Sequence, residues 1–276
     1  MKKFLKKVLI YSIMGVIMFE FYTHFLKAEQ VTKDTHVRNY EEIVQSGVLR
    51  AVTEYNSLSY HAKDDTIGGF HYELLHAFAR AKNLKIEITP EMSLEKRFIG
   101  LENGTYDILA NNVLKMSDRK DSILYTLPIL LSKLVLVQRK AQNETDSCYI
   151  NSLLELGHKT LHIVKDSPFM LRIQNLSNEI GDTIYIKEIE LYGPEQLIAM
   201  VANGDIDYTV CDESTAKASI KNFPQIDIEK AISFTQFYTW GVNKKNTTLL
   251  DTLNAWIEEY KSTKAFKELN KKYNNH

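Results

Sequence analysis

Three histidines and a glutamate crowd one stretch of this chain: His61, His71, Glu73 and His76. Imidazoles with a carboxylate are a metal-binding set, but the HExxH spacing that puts two imidazoles one helical turn apart is absent. His71 and His76 lie five apart, whereas residues share a helix face at three or four. The spacing predicts exposed histidines and no metal. A GxSxG elbow and a P-loop are also missing. Carboxylate pairs for glycoside cleavage are set by geometry, not spacing, so no catalytic residue and no cofactor is predicted. Cys148 and Cys211 form no CxxC and no framework spacing. One buried thiol and one incidental thiol are predicted, although an oxidising compartment would let them pair. The chemistry left is binding. Asp212 ends an apolar run, where a buried carboxylate needs a partner. That partner is either a cationic ligand group or the free N–H groups of a helix starting near Glu213 or Ser214. Ser167 precedes Pro168 at a predicted helix start, which suits an anion or a plain cap.

These residues sit on an internal echo. Asn103-Gly104-Thr105-Tyr106-Asp107 leads through an apolar run to Asn111 and Asn112. Asn203-Gly204-Asp205-Ile206-Asp207 leads through another to Asp212. Each copy follows a helix-like segment, turns at Gly, places an Asp three residues on, and ends at a polar tip. Two copies imply two similar α/β lobes. Ligands of open α/β sheets sit beyond the carboxyl ends of the strands, so two facing ends make a cleft.

Composition narrows the classes. With 276 residues, 44% of them apolar, the chain can hold one or two globular domains. A net charge of −1 with scattered Lys and Arg gives no basic patch for nucleic acid. The N-terminus differs in kind: Lys2, Lys3, Lys6 and Lys7 precede an apolar run over 8–19. This is the pattern of a secretory signal. The run resumes after Glu20 without a clear small-residue cleavage site, so an uncleaved anchor with its lysines on the cytoplasmic side is the alternative. Either way the remainder is exported.

Along the chain, 29–39 reads as a linker and 40–47 as a short helix with its stop. Strands are predicted at 48–55, 84–89 and 106–111, with helices at 70–81 and 94–102 between them. This β-α-β-α-β order favours a mostly parallel sheet. A long apolar strand is predicted over 129–139. The pattern then restarts: strands at 160–164, 183–189 and 208–211, and helices at 168–176 and 194–203. A strand at 234–242 and two amphipathic helices over 249–273 close the chain. The reading is a second lobe, 139–235, inserted into a first lobe, 40–138 and 236–276. The chain would cross near Gln138–Ala141 and again near Ile232–Thr235, forming a two-segment hinge.

Several segments, in order, resemble a known family. Gly47 to Val52 (GVLRAV) is similar to its opening strand. Gly69 to Leu74 (GFHYEL) is similar to its GF-x-x-E-L helix start. Met116 to Tyr125 (MSDRKDSILY), with Thr126-Leu127-Pro128 after it, is similar to T-x-x-R followed by FS-x-PY. Ala202 to Asp212 is similar to its GxxDA…D segment, and Trp240 to Lys245 (WGVNKK) to WAVRK. On these motifs the chain resembles the family 3 extracellular solute-binding proteins, polar amino-acid binders of the type II periplasmic fold. It resembles also the binding domain that precedes the catalytic domain of membrane-bound lytic transglycosylase F.

The resemblance implies a two-lobed protein that closes on a small zwitterionic ligand, an amino acid or a peptide-like molecule. By motif match, Arg119 takes the ligand carboxylate, a task that suits the bidentate guanidinium. Asp212 accepts the ammonium. Ser167 matches the family's Gly-Ser/Thr position, and Asn111 and Asn112 stand where hydroxyl-bearing residues are common. Tyr55 and Phe70 match positions that supply a stacking ring, with core packing as their other reading. The family's threonine three residues before the Arg is Met116 here, and Leu114 stands five before it, so two hydroxyl donors are lost and a larger peptide-like ligand comes into view. The partners implied are the ligand and an ABC-type transporter, with the protein a monomer in the cell envelope. The alternative is a membrane-tethered envelope sensor or regulator akin to the transglycosylase's non-catalytic domain. Its lysozyme-like domain would be expected after His276, so lytic activity is not expected here. Dehydration of a cyclic acid, known on this fold, is a third reading that no residue selects.

Overall fold

The computed structural model describes residues 36–63, 66–116, 119–190 and 192–274. The leader expected at 1–28 and most of the linker at 29–39 lie outside the described residues. Every element below belongs to the compact unit Val37–His276.

Asn39 starts helix α1 (Tyr40–Ser46) with a reciprocal capping box: its side chain accepts from Glu42 N while Glu42 accepts from Asn39 N. The chain then alternates strand and helix: β1 (Val48–Thr53), α2 (Phe70–Ala81), β4 (Lys85–Pro90), α3 (Leu94–Glu102) and β5 (Ile108–Val113). A small hairpin, β2 (His61–Lys63) and β3 (Thr66–Gly68), stands between β1 and α2. Helix α2 turns Phe70, His71, Leu74, Leu75, Ala77 and Phe78 inward, close to the three-four spacing of one helix face. Strands β6 (Ile123–Tyr125) and β7 (Leu130–Ser132) follow. The first sheet runs β4-β1-β5, all parallel, and is then closed by an antiparallel strand from the far end of the chain, β13 (Gln236–Asn243). Both β6 and β7 pair antiparallel with β13. The final helices α7 (Thr247–Ser262) and α8 (Lys264–Asn274) return to the same lobe, where Trp256, Ile257, Phe266 and Leu269 join its core.

The second sheet repeats the scheme with β9 (Thr160–Val164), β10 (Tyr185–Ile189) and β11 (Tyr208–Asp212) parallel in the order β10-β9-β11. Its antiparallel strand is β8 (Leu134–Arg139), flanked by β12 (Ile226–Asp227). Helices α4 (Met170–Ile180), α5 (Pro194–Asn203) and α6 (Glu213–Ile220) cover the sheet. One apolar cluster packs on each side of it, Leu161 and Ile173 in the first, Val137 and Ile198 in the second. Sheets covered on both faces need apolar residues on both, as the fully buried Tyr208–Asp212 strand shows.

The first crossing differs from the expectation. The apolar run over 129–139 is two strands, β7 in the first sheet and β8 in the second, separated at Lys133. Both halves are apolar in sequence, although Leu131 of β7 is exposed, so hydropathy does not mark the change of sheet. The crossing expected at Gln138–Ala141 therefore moves to Lys133, and 134–138 pass from the first lobe to the second. On the return, Ile232 lies in a second-lobe cluster, and β13 begins at Gln236. The cysteines are free, Cys148 exposed and Cys211 buried. No helix among the described residues is long and apolar enough to cross a membrane.

Candidate functional site

The echo sets the floor of the cleft. Gly104 and Gly204 end α3 and α5 with φ of 81° and 85°, a left-handed turn that costs other residues about 1 kcal/mol or more. Strands β5 and β11 then carry their polar tips to the seam between the lobes. There Asn112 Nδ2 donates to Asp212 Oδ1 at 3.1 Å. A second bridge forms where Ser57 N donates to Glu195 Oε1 at 2.9 Å, joining the loop after β1 to the first turn of α5. Burial pushes the Glu195 carboxyl up, a shift that the Ser57 bonds oppose and nearby Glu54 reinforces.

Between these bridges lies a cavity with about 600 Å³ of atom-free space, its mouth included. It opens beyond the carboxyl ends of β1, β5, β9 and β11, as the α/β rule requires. The first lobe supplies Glu54, Arg97, Asn111 and Asn112 among apolar Leu94, Phe98, Val113, Leu114 and Met116. The second supplies Lys165 and Ser167 among Val164, Pro168, Phe169, Pro194 and Val210. Few polar groups in an apolar wall is the usual make-up of a small-molecule site.

Asn111 is 6% exposed, and its Oδ1 is buried without a hydrogen-bond donor among the described residues. Asn112 is the middle of a chain whose protons are determined. Trp240 Nε1 can only donate, and it meets His71 Nδ1 at 2.9 Å. His71 therefore carries its proton on Nε2 and donates to Asn112 Oδ1 at 2.9 Å. Asn112 then turns its amide N–H toward Asp212. His71 is 1% exposed, contrary to the exposed histidine expected, and burial lowers its pKa to about 4 against the opposing pull of Asn112. The sequence hid this because helix α2 places His71 on its inner face. No cluster of three or more metal-ligating groups occurs among the described residues.

Asp212 is 5% exposed and begins α6, its Oδ1 accepting from Ser214 N and Thr215 N at 2.9 and 3.3 Å. The hydroxyls of Ser132 and Tyr238 stand beside the carboxylate, yet Oδ2 closes no well-directed hydrogen bond. Burial raises its pKa, and among the described residues no cation pairs with it. Asp212 is thus a cap and a brace for Asn112, one layer behind the cavity wall.

The other predicted residues divide. Ser167 lines the cavity but is not a helix cap. Its hydroxyl accepts from Phe169 N at 3.3 Å in a turn that precedes α4 at Met170, since a residue before proline disfavours helical dihedrals. Phe70 is fully buried against Phe266 and Tyr273 and has no surface for a ligand. Tyr55 is exposed beside Tyr60 and outside the cavity lining. Arg119 also lies outside it. Its guanidinium pairs with Glu95 and with Glu102 at 3.3 Å, both on α3, and rests 5.1 Å over the Phe98 ring. Four residues went unnoticed in the sequence: Glu54 and Lys165 in the cavity wall, Glu195 at the second bridge, and Arg97. The last occupies an inward position on α3, a charge interrupting the buried face of Phe98 and Leu101, and that interruption was the available signal.

Comparison with known proteins agrees with this architecture. A family model described as bacterial extracellular solute-binding proteins, family 3, matches residues 49–276. A membrane-bound lytic murein transglycosylase F of Photobacterium profundum is 27% identical over 245 residues, covering 88% of this chain and 47% of the relative. One of the same name from Desulfosudis oleivorans is 27% identical over 233 residues, covering 84% and 50%. The chain spans about half the length of these curated relatives. Among solved structures, an ancestral arginine-binding protein bound to arginine superposes with a TM-score of 0.70 at 22% identity, covering 87% of this chain and all of that one. The substrate-binding protein of an amino acid ABC transporter does so with a TM-score of 0.70 at 21% identity, covering 83% and 100%. The two-lobed type II periplasmic binding fold and the family match agree: the chain belongs to the family 3 bacterial extracellular solute-binding proteins.

Proposed function

We propose that this protein is an exported binding protein whose lobes close on a small zwitterionic solute, an amino acid or a peptide-like molecule. The observation that carries the reading is the cavity between the two sheets, walled by apolar side chains and set with buried polar groups that have unused hydrogen-bonding capacity. An ammonium group is offered Glu54 and the Asn111 carbonyl oxygen. The loss of hydroxyls at Leu114 and Met116 gives the cavity an apolar side, which favours a ligand with hydrocarbon as well as charge. Closure follows from differential affinity: a ligand that touches both lobes stabilises the joined state over the parted one. Handover to an ABC-type transporter is the role this reading supplies.

Calorimetric titration of the full chain with the standard amino acids and with muropeptide fragments tests it. Saturable heat with one class of probe is the expected result. A flat response across the panel would remove the reading.

A second reading rests on the relatives named as transglycosylase F, each matched over about half its length. In it the protein is a membrane-tethered envelope sensor of muropeptides. Retention of the full chain in washed membranes, with muropeptides as the tightest probes, is its signature. Release as a free mature protein favours transport.

A further inference from the structure

We propose that Arg97 is the anion anchor of the cavity, and that the ligand turns a carboxylate toward α3 and this residue, not toward Arg119. The inference rests on the binding reading above and adds the chemistry of one end of the ligand.

A guanidinium carries five N–H donors in a planar fork. In a protein interior such donors are almost always satisfied, because each bare one costs the lost hydration of a charged group. Arg97 is 3% exposed and departs from that rule. Among the described residues only its Nη1 has partners: the Glu91 carbonyl at 3.1 Å and Glu54 Oε1 at a loose 3.6 Å. Nε is buried with no acceptor at all. The Nε and Nη2 edge is the geometry that takes a carboxylate through two parallel bonds. The residue lines the cavity between the two sheets, so its unused fork belongs to the wall of that cavity. Glu54 does not saturate it, since one of its oxygens already accepts from Asn56 Nδ2 at 3.0 Å.

Arg119 is placed otherwise. It stands between two carboxylates of α3, Glu95 and Glu102, and its charge is matched twice over. A ligand carboxylate would compete with both. Asn111 completes the picture: its bare Oδ1 in the same cavity accepts from a donor such as an ammonium. Both ends of a zwitterion would then be read largely by the first lobe.

The test pairs a change in the ligand with a change in the protein. The tightest probe from the amino-acid and L-alanyl-D-glutamate panel is titrated beside its primary carboxamide, which keeps the shape and removes the charge. Wild type should prefer the carboxylate by about 10- to 100-fold, the value of a charge-assisted bond. In Arg97→Met the preference should shrink to about threefold or less, while Arg119→Ala should keep it. If Arg97→Met fails to fold, Arg97→Lys keeps the charge without the fork and should lose most of the preference. The inference is overturned if wild type does not distinguish the two probes, or if the preference survives at position 97 and vanishes at position 119. A panel in which nothing binds wild type removes the binding reading itself, and this inference with it.

Discussion

The two copies of the Asn-Gly turn share a backbone and differ in their electrostatics. In the first, Asp107 is 5% exposed. It accepts from Arg50 N at 2.8 Å and from the side chains of Arg38 at 2.5 Å and Arg50 at 3.1 Å. In the second, Asp207 has a side chain more than half exposed and, among the described residues, pairs with Arg139 alone, at 2.6 Å. The first carboxylate staples the segment before α1 to β1 and β5. The second sits at the rim of its sheet, and Arg139 is held chiefly by the carbonyls of Val201 and Ile206. Equal sequence grammar thus builds equal turns, while the worth of each charge depends on how much water its neighbours exclude.

Asp107→Asn should therefore cost the most, about 3 kcal/mol or more, because two guanidiniums are left without their buried partner. Urea denaturation at neutral pH reads it, and a loss below about 1 kcal/mol would mean that the first pair is no stronger than a surface one.

Next comes acid sensitivity at the seam. His71 has a folded pKa of about 4, below the usual 6.5. A lowered histidine contributes its stability above 6.5, and that contribution drains away as pH falls from 6.5 toward 4, because the unfolded chain takes up the proton first. The loss is roughly 3 kcal/mol over that window. Melting curves of wild type and His71→Gln between pH 7 and 4 should converge by about this amount; parallel curves would show that His71 titrates normally.

Asp212 separates cap from charge. Asp212→Ala should lose about 1–2 kcal/mol with the α6 cap. Asp212→Asn keeps an accepting oxygen, removes a carboxylate whose burial opposes its charge, and should change stability by less than about 1 kcal/mol. Thermal melts of the two variants decide; equal losses would place the value in the charge. Smallest of all, Asp207→Asn should cost under about 1 kcal/mol, and denaturation at low and high salt should show what little there is being screened.

Much of this fold was legible because its signals are local. The Phe70–Ala81 face, the Gly stops after α1 and α5, and the apolar β11 strand all follow from neighbours within a turn or two. The three-residue strands β2, β3 and β6 were too short to show a period. The split at Lys133 escaped because both halves of the 129–139 run are apolar. Asn111, Asn112 and Ser167, singled out in the sequence at a strand tip and an expected helix start, line the cavity. Arg97 and Glu54 were not singled out, since a charged residue on a helix or past a strand reads as solvated until the opposing wall is known.

The sequence by itself determined the elements, their α/β order and the repeat that makes two lobes, because dihedral preference and apolar period act over a few residues. Tertiary structure decided which charge meets which. Arg97 and Arg119 are the same side chain near the same helix, yet one is buried with an unused fork and the other is matched by Glu95 and Glu102. Electrostatic strength depends on distance and on the exclusion of water, and both are set only when remote segments pack together.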